Sequence, residues 1–191
     1  NYSQCETFIN HFLSFKNPRY HFIRSVSKGS TGKYCYGRIK NNLQTICDSK
    51  KYHLIEMNAA IPKSTIDEIY SSLSTQPDKH TILLIKDMLG AAKTLDDSFI
   101  GCVHESTPMK KDYSSEVQGL PGRMCGWKKK EGKNAPLLFC NQEIIEQYIQ
   151  LYHSNFNFLD EDIIEWRDSK LRLNLKGKLS SSESYLSLED N

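Results

Sequence analysis

No apolar run in this chain approaches the ~20 residues that a membrane-crossing helix needs, so no span is expected. Nor do any two of its six cysteines stand as a CxxC pair; they are Cys5, Cys35, Cys47, Cys102, Cys125 and Cys140. A zinc site built from cysteines is therefore not expected. Cys102 and Cys140 sit inside the apolar runs FIGCV and LLFC, where cysteine behaves as a small buried hydrophobe. No secretory pattern opens the chain, so the thiols read as free ones in a reducing, intracellular compartment. No internal repeat is present. Excess charge is lacking too: 25 basic against 23 acidic residues leave a net +2, so only local charge runs carry information. The chain opens on Asn1 rather than Met, which points to a piece of a longer protein.

A phosphate loop is the next absence. The stretch KGSTGKY (28–34) follows an apolar run and offers glycines, hydroxyls and a lysine. The loop that cradles phosphates has the form GxxxxGK[ST]. Here Ser27 stands where the first glycine belongs, and Tyr34 where the metal-binding alcohol belongs. The stretch reads as a basic turn leaving a strand. An acidic DExx motif after a buried strand is missing as well, since Leu159-Asp-Glu-Asp162 comes late and follows no such strand.

What is present is an alternation of strands and helices. CETFINHFLSF (5–15) has helical spacing. YHFIRSV (20–26), KYHLIEMN (51–58), HTILLIKDML (80–89), FIGCVHES (99–106) and PLLFC (136–140) read as strands. YGRIKNNLQTIC (36–47) sets Ile39, Leu43 and Ile46 on one helical face. STIDEIYSSL (64–73) is a helix expected to be capped by Ser64 or Thr65. SSEVQGLPGRMCGW (114–127) begins as a helix capped by Ser114 or Ser115 and is interrupted at Pro121, and 141–156 forms a helix capped by Asn141. The run 80–89 is almost continuously apolar, as a strand buried on both faces should be. This order predicts an α/β domain with a mostly parallel sheet flanked by helices. Its length of 191 residues and hydrophobic fraction of 38% suit one cored domain with a tail. The expected division is an N-terminal helix and linker (1–17), the domain proper (18–158), and a last helix with a polar, serine-rich tail (159–191).

The segment from 80 to 127 carries the chemistry. IKDMLGAAKTL resembles motif V of the second RecA-like domain of superfamily two helicases. QGLPGRMCGW resembles motif VI, the Q-x-x-G-R-x-G-R element, and YHFIRSV resembles the strand of motif IV. The resemblance runs in order over about residues 18–153 and is nearest in flavour to helicases of large DNA viruses and phages. It implies a RecA-like fold. It also implies an ATP-dependent helicase or translocase in which ATP and Mg2+ are held mainly by a first RecA-like domain in cis. Arg123 would be the arginine finger, Gly122 would allow close backbone approach, and Gln118 would set the register. A guanidinium suits that task because its charge is permanent and its donors are forked. Arg24, Ser25, Lys28, Asp87, Lys93 and Thr94 would face single- or double-stranded nucleic acid. Two departures stand out. Three residues separate Gln118 from Gly122, where the family usually has two, and Trp127 lies where a final arginine is usual.

Weaker candidates for the nucleic-acid track are Lys110, Lys111, the run KKKEGK (128–133), Tyr113 and Trp127. The expected activity belongs to the full-length protein, and the residues here alone are not expected to hydrolyse ATP. The implied setting is cytoplasm or nucleus, including the host cell of a virus. Two other readings stay open. One is a helicase-fold module that binds nucleic acid or protein without motor activity. The other is an α/β enzyme using His104, Glu105 and a cysteine, which would need a depressed thiol pKa at Cys102 or Cys125.

Overall fold

The computed structural model describes residues 2–25, 36–86, 95–106, 117, 119–124 and 135–153. Five strands form one sheet: β1 (Tyr20–Ser25), β2 (His53–Met57), β3 (Thr81–Lys86), β4 (Ile100–His104) and β5 (Leu137–Phe139). Their order is β2-β3-β1-β4-β5, and every pairing is parallel. The fold is thus α/β with an all-parallel sheet. Parallel neighbours cannot be joined by a tight hairpin, so each connection must cross over the sheet.

Helices α1 (Tyr2–Asn10), a 3-10 turn (His11–Ser14) and α2 (Tyr36–Lys50) supply one apolar layer. Phe8, Ile9 and Phe12 join Leu43, Ile46 and Cys47 there, over Ile23, Ile82, Leu84 and Cys102 of the sheet. Helix α3 (Lys63–Ser72) and the short α4 (Leu120–Met124) serve the other face. Leu73, Leu95 and Leu120 pack there on Phe22, Leu83, Ile85 and Val103. Successive residues of β1 and β3 therefore point to opposite layers, and both layers are apolar. That is why 81–85 is buried without interruption and reads in sequence as one hydrophobic run.

Two caps differ in outcome. Asn141 caps α5 (Gln142–His153) as expected, its Oδ1 accepting from the Glu143 amide at 3.0 Å. Helix α3 instead starts at Lys63 behind Pro62, and neither Ser64 nor Thr65 is its cap. Pro62 takes the cap position instead, its carbonyl accepting from the Ile66 amide at 3.2 Å without a side-chain cap. The expected interruption at Pro121 falls elsewhere: Val117 is helical, the turn is at Gly119, and Pro121 lies inside α4 as its second residue, where a missing amide hydrogen costs no helical bond.

The β1–β4 pairing contains an irregularity. Tyr20 pairs with Ile100, but Phe22 pairs with Val103, so β4 carries one extra residue. The amide of Cys102 goes to Nδ1 of His21 at 3.0 Å. A buried N–H requires an acceptor, and an imidazole supplies it here. The His21 ring lies flat on Phe12, with centroids 3.4 Å apart and planes at 10°. It also fills the space beside Gly101, where an added Cβ would sit 2.7 Å from Cε1 of His21 and 3.0 Å from Cβ of Arg19. The ring is held on every side and cannot retreat. Gly101→Ala is therefore expected to destabilise the fold by about 1–3 kcal/mol through overpacking. The check is the urea midpoint, and an unshifted midpoint would show that the bulge can relax.

Candidate functional site

In a parallel sheet the carboxyl ends of strands whose connections diverge leave a crevice. The chain leaves β1 toward α2 and β2, and leaves β4 toward α4 and β5, on opposite sides in the strand order. The crevice therefore lies at the ends of β1 and β4. Arg24 and Ser25 end β1, His104 ends β4, and Glu105 follows it directly.

Glu105 organises this edge. Its residue surface is 4% exposed. Its Oε2 accepts from Nη1 of Arg24 at 3.1 Å and from the amide of Leu120, the first residue of α4, at 3.0 Å. Its own amide donates to the Phe139 carbonyl at 2.9 Å, which ties its backbone to β5. A buried carboxylate needs such partners, since an unpaired one costs several kcal/mol. The Arg24 side chain is 18% exposed, so this contact is largely shielded from water.

Arg123 stands one turn along α4 from Leu120. Its Nη1 donates to the Gly119 carbonyl at 2.9 Å. Burial, followed by the charge of Arg24, pushes its pKa down, while Tyr70 and Glu105 pull it up. Arginine remains protonated under such shifts. Geometry joins Arg24 to Glu105 and Glu105 to the first residue of α4, the helix that carries Arg123. Burial raises the Tyr70 phenol, and Arg123 opposes that rise.

Gly122 has a clear packing reason. A Cβ there would lie 2.4 Å from the Val117 carbonyl oxygen. Observed close approach at this glycine is thus to the chain's own backbone. Gly122→Ala must displace either α4 or the turn before it. We expect α4 amides to lose hydrogen-exchange protection while β1 and β4 keep theirs. Equal protection throughout would contradict the bracing role of Gly122.

Ser25 is buried, and its hydroxyl has no hydrogen-bond partner among the described residues. His104 is half-buried and meets the Phe8 ring edge-on at 5.7 Å. Its pKa is lowered by burial, with backbone hydrogen bonds opposing. It packs against α1, and the carboxylate of Glu105 is engaged by Arg24 and Leu120. Burial pushes the Cys102 thiol up to about 12, so Cys102 does not meet the requirement for an activated nucleophile. Cys5, Cys47 and Cys140 are also free thiols.

A second polar group stands on the same edge. The Tyr36 hydroxyl donates to Oε2 of Glu56 at 2.8 Å, and Lys40 pairs with Oε1 at 2.6 Å. Lys86, which ends β3, places its ammonium 5.2 Å from the centre of the Tyr36 ring. These contacts tie the start of α2 to the ends of β2 and β3.

Of the residues singled out in the sequence, the structure brings Arg24, Ser25, Gly122 and Arg123 to one edge. Lys28, Asp87, Lys93, Thr94 and Gln118 lie outside the described residues, as do KGSTGKY, Lys110, Lys111, Tyr113, Cys125, Trp127 and 128–133. In the sequence Glu105 was legible as the neighbour of His104 in a candidate acid–base pair, and its pairing with Arg24 was not legible at all. Among the described residues no group of three His, Cys, Asp or Glu could hold a metal ion. None of the described helices is long and apolar enough to cross a membrane.

No family model matches the chain. Over 131 residues it is 27% identical to uncharacterized protein L594 of Acanthamoeba polyphaga mimivirus, a match covering 69% of this chain and 31% of that protein. The chain thus spans less than a third of the length of this giant-virus relative.

Proposed function

We propose that these residues form the C-terminal RecA-like domain of an ATP-dependent nucleic-acid helicase or translocase, with Arg123 as its arginine finger. The observation that carries this reading is a short helix, braced at Gly122 and tied through Leu120 to Glu105 after β4, from which Arg123 projects. A polyphosphate needs fixed positive charge at a half-buried edge, and this edge has it. The residues present fit the terminal phosphates of a nucleotide; they offer no acidic metal cluster among those described. The helicase resemblance assigns Mg2+ and most of the ATP contacts to a first RecA-like domain in cis.

When bound, ATP supplies the phosphoryl bond whose hydrolysis drives movement. Arg123 holds a permanent charge toward the γ-phosphate, where charge accumulates in the transition state. The Gly119 carbonyl and the α4 backbone orient that side chain. Arg24 and Ser25, together with Lys28, Asp87, Lys93 and Thr94, are the residues this reading assigns to the nucleic-acid track. Similarity to a giant-virus protein supports a viral setting. One observation favours the alternative of a binding module without motor activity: Arg24 and Arg123 both spend hydrogen bonds on the chain itself. Nucleic-acid-stimulated ATP hydrolysis by the full natural protein separates the two readings, and only the motor reading requires it.

A further inference from the structure

Arg24 and Lys40 each pair with a carboxylate at the strand-end edge, Glu105 and Glu56. Lys86 forms no ion pair among the described residues. Its ammonium instead lies 5.2 Å from the centre of the Tyr36 ring. The difference matters, because an aromatic ring holds a cation without cancelling its charge. The ring is itself fixed: the Tyr36 hydroxyl donates to Oε2 of Glu56 at 2.8 Å, while Lys40 takes Oε1. Tyr36 is also the first residue of α2. The positive end of a 15-residue helix, with no acidic residue in its first turn, thus opens beside Lys86.

An independent feature lies on the neighbouring strand. Ser25 pairs with Lys86 in the sheet register. Two residues earlier on each strand, Ile23 and Leu84 face the layer of α1 and α2, so Ser25 and Lys86 face that side too. Ser25 is 4% exposed, and its hydroxyl has no hydrogen-bond partner among the described residues. Buried hydroxyls are costly without a partner and rarely lack one. A hydroxyl, an ammonium and a helix start therefore share one place at the ends of β1 and β3, and each of them favours an anionic oxygen.

We infer that Lys86 and Ser25 bind one backbone phosphate of nucleic acid at the start of α2, with Tyr36 as the positioning residue that holds the Lys86 ammonium in place. Lys86 and Tyr36 thereby join the nucleic-acid track. The inference rests on the nucleic-acid reading proposed above, in its motor or its non-motor form. A backbone phosphate carries a single negative charge, which one ammonium matches; the terminal phosphates of a nucleotide carry more. The Ser25 hydroxyl and the ammonium donate, and the phosphate oxygens accept. Tyr36 does not touch the phosphate.

The test is equilibrium binding of the full natural protein to fluorescent single-stranded DNA and RNA oligonucleotides over a range of salt concentrations. Lys86→Met keeps the stem and removes the charge. Lys86 is partly exposed at its strand end, so circular dichroism should not change. Affinity is expected to fall roughly 10-fold, and the slope of log K against log salt should flatten by about 0.7. Ser25→Ala removes a neutral donor, so affinity should fall several-fold with the slope unchanged. Its urea midpoint should hold or rise, because no bond within the fold is lost. Tyr36→Leu should reproduce part of the Lys86→Met loss, and Tyr36→Phe, which keeps the ring, should recover most of it. A folded Lys86→Met protein with wild-type affinity and slope overturns the inference. So does a lowered midpoint in Ser25→Ala, which would show the hydroxyl to be bonded within the fold. Weakened ATP binding by Lys86→Met with oligonucleotide binding intact would place a nucleotide phosphate there and overturn it as well. Should the wild-type protein bind neither DNA nor RNA, the nucleic-acid reading itself falls, and the inference with it.

Discussion

Replacing Arg123 with alanine in the full natural protein is expected to lower nucleic-acid-stimulated ATP hydrolysis by about 10³-fold or more. The KM for ATP should change little. A finger that meets the γ-phosphate only as charge develops contributes to the transition state and not to ground-state binding. Arg123→Lys tests the same point more finely. It preserves the charge but loses the planar fork, so it should recover only a small part of the rate. The guanidinium donates to the neighbouring Gly119 carbonyl, so unchanged circular dichroism of the variant is the companion check that the fold survives. Lys79→Ala is the control, a basic residue just before β3 at the opposite end of the sheet, and it should leave the rate unchanged. An Arg123→Ala protein that hydrolyses ATP at the wild-type rate would remove the motor reading.

The second large effect is on stability and is readable in this chain directly. Lowering the pH from 7 to 5 is expected to destabilise the fold through His21 by at most about 2 kcal/mol, the ceiling set by the unfolded value near 6.5. The hydrogen bonds dictate which nitrogens carry protons. Nδ1 of His21 accepts from the Cys102 amide, so its proton sits on Nε2 and is donated to Nδ1 of His80 at 2.9 Å. Nδ1 of His80 also faces the Arg19 amide at 3.4 Å. Both rings are therefore neutral, and each faces donors at the nitrogen that would have to be protonated. Burial first, then His80 and Arg19, holds the His21 pKa well below its usual value. Burial followed by Arg19 lowers that of His80. Both folded-state values lie below the unfolded value near 6.5, so the unfolded chain binds protons first as the pH falls. The stabilisation is complete above about 6.5 and is lost progressively below it. Urea midpoints measured between pH 7.5 and 5 give the slope, and a flat profile would mean that the pair is not buried and neutral as described.

Much of the architecture could be read from the residues. Strands β1, β3 and β4 appear as β-branched and aromatic runs because both of their faces are covered, and helix α2 shows its Leu43–Ile46 stripe because one face alone is covered. The start of α3 was misplaced because Ser64 and Thr65 are good caps in general, while Pro62 happens to precede them. His104-Glu105 invites an acid–base reading as neighbours in sequence. In space the two diverge, His104 toward Phe8 and Glu105 toward Arg24 and Leu120, because successive residues at a strand end point to opposite sides.

By itself the sequence determined the class of the fold, the order of its strands and helices, and Arg123 as the residue to examine. The first two follow from local periodicity and composition, which neighbouring residues carry between them; Arg123 follows from the resemblance of QGLPGRMCGW to a known motif. Tertiary structure alone decided that Glu105 joins Arg24 to α4, that His21 satisfies the amide of Cys102, and that Gly101 and Gly122 have no room for a side chain. Each of these joins residues from different elements across the sheet or around its edge. Parallel pairing sets that proximity through crossovers, and a pattern read along the chain does not contain it.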